Sequence, residues 1–144
     1  MKLLITSDVH GHENRLKRVI NKHKDIDYHI NAGDMCLDEH IYKRHHLITV
    51  KGNNDFYSIE PYFRLLNLEG LNIYLTHGHL EHVKYGLDEL KLKAKNANLI
   101  IFGHTHQRYL NEDQHIKILN PGALGDFHKS YAIYENGQIT FYEL

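Results

Sequence analysis

Five short apolar runs in this chain each stop at a polar cluster carrying Asp, Asn or His, and that recurrence limits the folds open to it. Lys2–Thr6 runs into Ser7-Asp8-Val9-His10, Tyr28–Ala32 into Gly33-Asp34, and His46–Val50 into Gly52-Asn53-Asn54-Asp55. Leu71–Thr76 ends at His77-Gly78-His79, and Asn98–Phe102 at Gly103-His104-Thr105-His106. Runs of this length, aliphatic or β-branched and bounded by turn formers, read as buried strands. A chain that ends strand after strand in the same residue types is building one rim, since ligands in α/β sheets bind beyond the carboxyl ends of the strands.

Between the runs the period changes. Leu16, Val19, Ile20 and His23 recur at helical spacing, with Arg15, Lys17, Arg18 and Lys22 on the other faces, which predicts an amphipathic helix over 13–23. Leu37 to Arg44 is long enough for a short helix. The opening is therefore strand, helix, strand, helix, strand, and this order predicts parallel pairing through right-handed crossovers. Phe63–Leu68 and Leu71–Thr76, joined by Glu69-Gly70, read as a tight strand pair, and Val83, Leu87, Leu90 and Ala94 as one helix over 83–95. Gln107–Leu110, His115–Leu119, Ser130–Tyr134 and Gln138–Tyr142 complete the strands, with Asn136-Gly137 as a two-residue hairpin turn. No repeat, low-complexity stretch or Pro/Gly/Ser-rich linker divides the sequence, so one domain over 1–144 is expected. Its fold class is α/β: two facing sheets of mixed direction, a β-sandwich flanked by α-helices.

Composition narrows the chemistry. Fourteen of 144 residues are His, scattered rather than run together, which asks whether some converge in space. Seventeen Lys plus Arg against eighteen Asp plus Glu leave a formal charge of -1, so strong electrostatic nucleic-acid binding is not expected. The basic clusters Lys43-Arg44-His45-His46 and Lys91, Lys93, Lys95 read as solvated faces. The single cysteine, Cys36, excludes an intramolecular disulfide and a thiolate zinc cluster, and reads as a small buried apolar residue. Met1–Thr6 has neither the length nor the cleavage site of a signal peptide, and no membrane span is seen, so a reducing, cytoplasmic location is expected.

Seven metal-ligand types stand at the run ends: Asp8, His10, Asp34, Asn53, His77, His104 and His106. Two carboxylates, one amide and four imidazoles suit divalent ions of intermediate hardness, manganese first, with iron, zinc, cobalt or nickel also compatible. Four imidazoles exceed what one ion in an open catalytic site takes, so two ions sharing a carboxylate, about 3.5–4 Å apart, fit better.

The set Asp8-Val9-His10, Gly33-Asp34, Gly52-Asn53-Asn54-Asp55, His77-Gly78-His79 and Gly103-His104-Thr105-His106 resembles, in order, the five motifs of the calcineurin-like metallophosphoesterases. Asn120-Pro121-Gly122-Ala123 resembles the Asn-Pro-Gly-Ser segment of that superfamily's small bacterial and archaeal phosphodiesterase branch. The resemblance implies that Asp8, His10 and His106 hold one metal, that Asn53, His77 and His104 hold the other, and that Asp34 bridges them. It implies a two-sheet sandwich between helix layers and hydrolysis of phosphate esters by a hydroxide bridging two divalent ions. Two such ions, two carboxylates and the hydroxide leave about one positive charge, which a phosphate anion would neutralise.

Two positions depart from the wider superfamily. Many members carry a His acid directly after the motif Asn, where this chain has Asn54 followed by Asp55, and an amide has no titratable proton to give. Asn53, Asp55 and His79 are then the candidate catalytic group, with Asp55 read as an orienting residue and His12 and His79 as alternative donors. Candidate substrate contacts are His12, Asn54, His79 and His128. Relatives often carry Pro-Arg soon after the Asn-Pro-Gly segment, whereas the run here is Gly125-Asp126-Phe127-His128-Lys129. His23, His29, His40, His45, His46, His82 and His115 have no motif and read as surface or half-buried residues.

The expected partner is a small phosphate ester, and a homo-oligomer is left open. Two other functions share the resemblance: a protein-binding scaffold of the same fold, as in a retromer subunit, and a weak nuclease. All seven ligand positions are filled, which favours an enzyme over the scaffold. Repair nucleases of the superfamily carry an additional DNA-positioning domain, for which this length leaves little room.

Overall fold

The structure, a computed structural model, describes residues 1–113 and 115–144. Ten strands form two five-stranded sheets. The first contains β1 (Lys2–Thr6), β2 (Tyr28–Asn31), β3 (Leu47–Thr49), β9 (Ser130–Glu135) and β10 (Gln138–Glu143), in the order β10-β9-β1-β2-β3. The second contains β4 (Phe63–Leu68), β5 (Leu71–Thr76), β6 (Leu99–Ile101), β7 (Arg108–Glu112) and β8 (Lys117–Pro121), in the order β4-β5-β6-β8-β7. β1, β2 and β3 run parallel, as do β5, β6 and β8, while β9, β10, β4 and β7 pair antiparallel. The mixed α/β sandwich is as expected.

Alternation along the central strands makes two kinds of core. Leu3, Ile5, Ile30 and Ala32 face Ile73, Leu75, Leu99, Ile101 and Leu119 between the sheets, all buried. The side chains between them point outward and are buried too: Leu4 meets Leu16 and Val19 of helix α1 (Glu13–Lys22) and Tyr42 of α2 (Glu39–Arg44). On the opposite side Tyr74, Ile100 and Ile118 meet Leu90 and Ala94 of the α3 (Asp88–Lys93) region. Strands covered on both faces bury both sets of side chains, which is why Leu3-Leu4-Ile5 and Leu99-Ile100-Ile101 run without polar interruption.

The expected helix over 83–95 is divided. A 3-10 turn covers Val83–Tyr85, Gly86 follows at φ 129°, and α3 starts only at Asp88. That φ lies outside the range of a right-handed helix and is cheap for a residue without Cβ, so the apolar period survives the break while the hydrogen-bond ladder does not. Asp88 and Glu89 open α3 and Lys91 and Lys93 close it, each sign favourable to the helix dipole. Among the described residues no helix is long and apolar enough to cross a membrane.

Register places the site. Thr6 pairs with Asn31 and Asn31 with Thr49, so β1, β2 and β3 finish level. Leu75, Ile101 and Leu119 are likewise level across β5, β6 and β8. A buried polar belt locks the first three ends. The Asn31 amide donates to Thr6 Oγ1 at 3.0 Å, and Asn31 Oδ1 accepts from Thr49 Oγ1 at 3.0 Å and from the Gly33 N–H at 2.8 Å.

Candidate metal centre

Each motif leaves its strand through a sharp turn. Asp8, His10, Asp34, His104 and His106 have φ of 51°, 49°, 52°, 70° and 62°, in the left-handed region. Such a conformation costs a non-glycine residue about 1 kcal/mol or more, and five instances in one rim mark a functional constraint. The turns are stitched together by backbone bonds: the N–H groups of Asp8 and His10 donate to the carbonyls of Gly33 and Asp34, both at 3.0 Å, and that of Gly103 donates to His77 O at 2.9 Å. Close approach requires glycine at two points. A Cβ on Gly52 would fall against Asp34 Oδ1, 2.8 Å from its Cγ, and one on Gly103 would strike Ser7 Oγ and lie 2.7 Å from Asp8 Oδ2.

The turns bring the predicted ligands together in two overlapping groups. Asp8 Oδ1 lies 3.2 Å from His106 Nε2 and 3.4 Å from His10 Nε2, and those two nitrogens are 3.2 Å apart. Asp34 Oδ2 lies 3.2 Å from His77 Nε2 and 3.8 Å from His10 Nε2, so it stands between the groups. Asn53 Oδ1 is 3.0 Å from His77 Nε2, and the His104 ring lies 5.1 Å from the His77 ring. Asp8, His10 and His106, and separately Asp8, Asp34 and His77, are each close enough to hold one ion.

The donor set fits a divalent metal on its own chemistry. Asp8 is fully buried, yet its Oδ1 accepts no hydrogen bond, while Oδ2 takes the Ser7 hydroxyl at 2.6 Å and the His104 N–H at 3.1 Å. A buried carboxylate oxygen left without a hydrogen bond and faced by imidazole nitrogens is free to coordinate a metal ion. The rings are also held from behind. His77 Nδ1 lies 2.7 Å from Ala32 O and His106 Nδ1 lies 3.1 Å from Asp126 Oδ2, which turns Nε2 of each toward the centre.

Electrostatics follow from the crowding. Burial works against the Asp8 anion, but His10 and His106 outweigh it and hold the carboxyl well below the usual carboxylate range. Asp34 is lowered in the same way against its burial by His77, whose own pKa Asp34 and Asp8 raise despite desolvation. Asp8 and then Asp126 push His106 up to about 9, against some desolvation. Burial and the neighbouring His77 lower His104 to about 4 and also lower His79.

The remaining candidates divide. Asp55 is buried and its carboxylate is saturated: Oδ2 accepts the N–H groups of Asp34 and Gly52, both at 2.8 Å, and Oδ1 accepts that of Cys36 at 2.9 Å. It clamps one motif loop to another. Asn54 is exposed but bonded to Asp34, donating its N–H to Oδ1 at 2.8 Å and its amide to Oδ2 at 2.9 Å. His79 stands with its ring 5.5 Å from His77 and 6.2 Å from His104, its Nδ1 buried and without a partner. His12 is exposed at the start of α1. His128 is exposed and faces Glu143 at 3.4 Å, and Asp126 is the residue of that loop that reaches the centre.

Cys36 is exposed, which corrects the expectation of burial. Its φ of 54° turns the side chain out beside the centre, with Sγ 4.0 Å from His10 Nδ1 and 3.6 Å from Asn54 O. Partial desolvation of the sulfur and the surrounding Asp55, Asp34 and Asp8 carboxylates push the thiol up to about 12. Three supporting residues lie outside the sequence reading. Ser7 and Thr105, which accepts the Asn120 amide at 3.0 Å, stood inside motifs already quoted, whereas Asp126 carries no local signal.

The sequence model of the calcineurin-like phosphoesterase superfamily domain matches residues 1–137. The chain belongs to that superfamily. A probable metallophosphoesterase of Mycoplasma genitalium is 33% identical over 129 residues, covering 86% of this chain and 77% of that protein. A phosphodiesterase of Methanocaldococcus jannaschii is 27% identical over 142 residues, covering 85% of this chain and 83% of that one. Among solved structures, a predicted phosphoesterase from Streptococcus pneumoniae superposes with a TM-score of 0.83 at 23% identity, over 99% of this chain and 97% of that one. Vacuolar protein sorting 29 from Cryptosporidium parvum superposes with 0.79 at 16% identity, over 98% and 95% of the two chains. The structural likenesses establish the shared fold, and the family match makes this a metallophosphoesterase-family protein with candidate metal-binding residues.

Proposed function

We propose that this chain is a metal-dependent phosphodiesterase, with residues 1–144 acting as one catalytic domain that holds two divalent ions, manganese foremost. The observation that carries the reading is the buried, donor-free Asp8 Oδ1 at the meeting point of the two ligand groups. Asp8, His10 and His106 would hold one ion, Asn53, His77 and His104 the other, and Asp34 both. When bound, the ions supply Lewis acidity toward the phosphoryl oxygens and an acidified water for in-line attack.

The chain's own contribution is to position and exclude. Asp55 fixes the turns that carry Asp34 and Gly52, Asn54 orients the Asp34 carboxylate, and Ala32 and Asp126 set the rings of His77 and His106. His79 projects into the centre as a neutral ring at pH 7, its pKa lowered by burial, so it offers a hydrogen bond to the substrate and little acid assistance. The rate should therefore depend steeply on leaving-group pKa, and activated diesters should be favoured over monoesters. The single cysteine suits a reducing compartment such as the cytoplasm. The relative named a phosphodiesterase supports this choice of substrate class. The likeness to a vacuolar sorting protein extends to the fold and does not by itself favour a scaffold role.

Metal titration coupled to a panel of aryl mono- and diesters tests the reading. Manganese-dependent hydrolysis is expected in the wild type, with Asp34→Asn and His77→Ala each lowering it at least about 100-fold. Inactivity on every ester, or a variant as active as wild type, would contradict it.

A further inference from the structure

A cleft of about 520 Å³ opens off the metal centre, with His10 and Asn54 at its inner end. Met35, Leu37 and Tyr42 line it beside the loop residues Phe56, Tyr57 and Ile59. These loop residues are unusual. Phe56, Tyr57 and Ile59 are 75%, 99% and 75% exposed, so folding does not explain them. Large apolar side chains grouped in water mark a surface that something covers.

Hydrogen bonds hold the loop backbone and Tyr42 in place. The loop N–H groups of Asp55 and Ser58 donate to Gly52 O at 3.3 Å and Asp55 O at 3.1 Å, and the Asp55 carboxylate ties the loop to the turn that carries Asp34. Tyr42 is held by its hydroxyl, which donates to Glu60 Oε1 at 3.0 Å. The volume falls within the range of small-molecule sites.

The lining carboxylates are Asp38, Glu39 and Asp55, and beside His10 at the metal centre the lining holds no Lys or Arg. Asp55 is occupied by its three N–H donors and Glu39 pairs with Lys43, while Asp38 makes no side-chain cap bond to α2. An anionic group entering here would meet the Asp38 carboxylate with no fixed cation opposite.

We infer that this cleft seats an apolar ester arm of the substrate that carries no negative charge, while the phosphorus sits at the metal centre. The inference rests on the phosphoesterase reading and adds to it the chemistry of the esterifying group. A nucleic-acid strand, whose continuing backbone is anionic, is the wrong occupant.

Calorimetric titration of the manganese-loaded protein with methylphosphonate, phenylphosphonate and 4-carboxyphenylphosphonate tests this. Burying one ring predicts phenylphosphonate binding about tenfold or more tighter than methylphosphonate. The carboxylated ring should bind several-fold more weakly than the plain one. In the double variant Tyr57→Ala/Ile59→Ser the phenyl-to-methyl ratio should fall to within about twofold, whereas Leu65→Ser on β4, remote from the cleft, should keep the wild-type ratio. A ratio read within one variant does not depend on the fraction folded. Equal binding of phenyl and methyl by the wild type, a preference that survives the double substitution, or undiminished binding of the carboxylated ring would overturn the inference and leave the phosphoesterase reading standing. No binding of any phosphonate together with no ester hydrolysis would overturn both.

Discussion

Asp55 shows how much one side chain can hold. Its two oxygens take three backbone N–H groups from two separate motif turns. Asp55→Ala would leave those donors unpaired in a buried site, and a loss on the order of 3 kcal/mol of stability is expected for the metal-free protein, read from urea unfolding. His29 makes a different kind of contribution. It is buried on β2 beside Thr6, with Nε2 2.9 Å from the hydroxyl, and desolvation, helped by the charge of His45, lowers its pKa to about 3. The folded chain refuses the proton that the unfolded chain accepts below the ordinary histidine value near 6.5. This contribution is complete above pH 6.5 and is lost as pH falls through the window toward 3, at about 1.4 kcal/mol per pH unit. Urea midpoints at pH 7 and 5 should show a loss of about 2 kcal/mol in the wild type that His29→Gln largely removes, and equal losses in both proteins would exclude His29 as the source.

At the level of the element, the strands were legible and their company was not. β1 and β5 begin and end where the apolar runs do, because a strand buried between layers has only one way to read, and the exposed edge strand β4 keeps its expected bounds through its pairing with β5. The helix over 83–95 misled because periodicity records which face is apolar and is blind to a single backbone angle at Gly86. The strand ends carry a sharper test. Gly103→Ala would drive a methyl group into Ser7 and toward Asp8, so manganese affinity should fall at least about tenfold, with a stability loss of about 1–3 kcal/mol from overpacking. Unchanged affinity in a metal titration would show that the close packing of these turns does not position Asp8.

Across the whole molecule, two sheets each end three parallel strands level, and both sets of ends meet over the same rim. That is why seven candidates scattered from Asp8 to His106 could be nominated from a sequence alone: each lies within a few residues of the end of an apolar run, and the parallel register brings those ends level. What could not be read came from loops that return to the rim without a local pattern. Asp126 reaches His106 from a segment in which His128 looked the better candidate, and Cys36 is exposed where its composition class argued burial. The cleft beside Phe56, Tyr57 and Ile59 belongs to the same category, since exposed apolar residues in a loop resemble core residues when written as a string. The central claim is that this rim binds two ions with Asp34 between them. Anomalous diffraction from crystals grown with manganese measures it directly. Two peaks about 3.5–4 Å apart are predicted, one beside Asp8, His10 and His106 and the other beside Asn53, His77 and His104, with Asp34 touching both. A single peak, or peaks away from Asp34, would contradict the account.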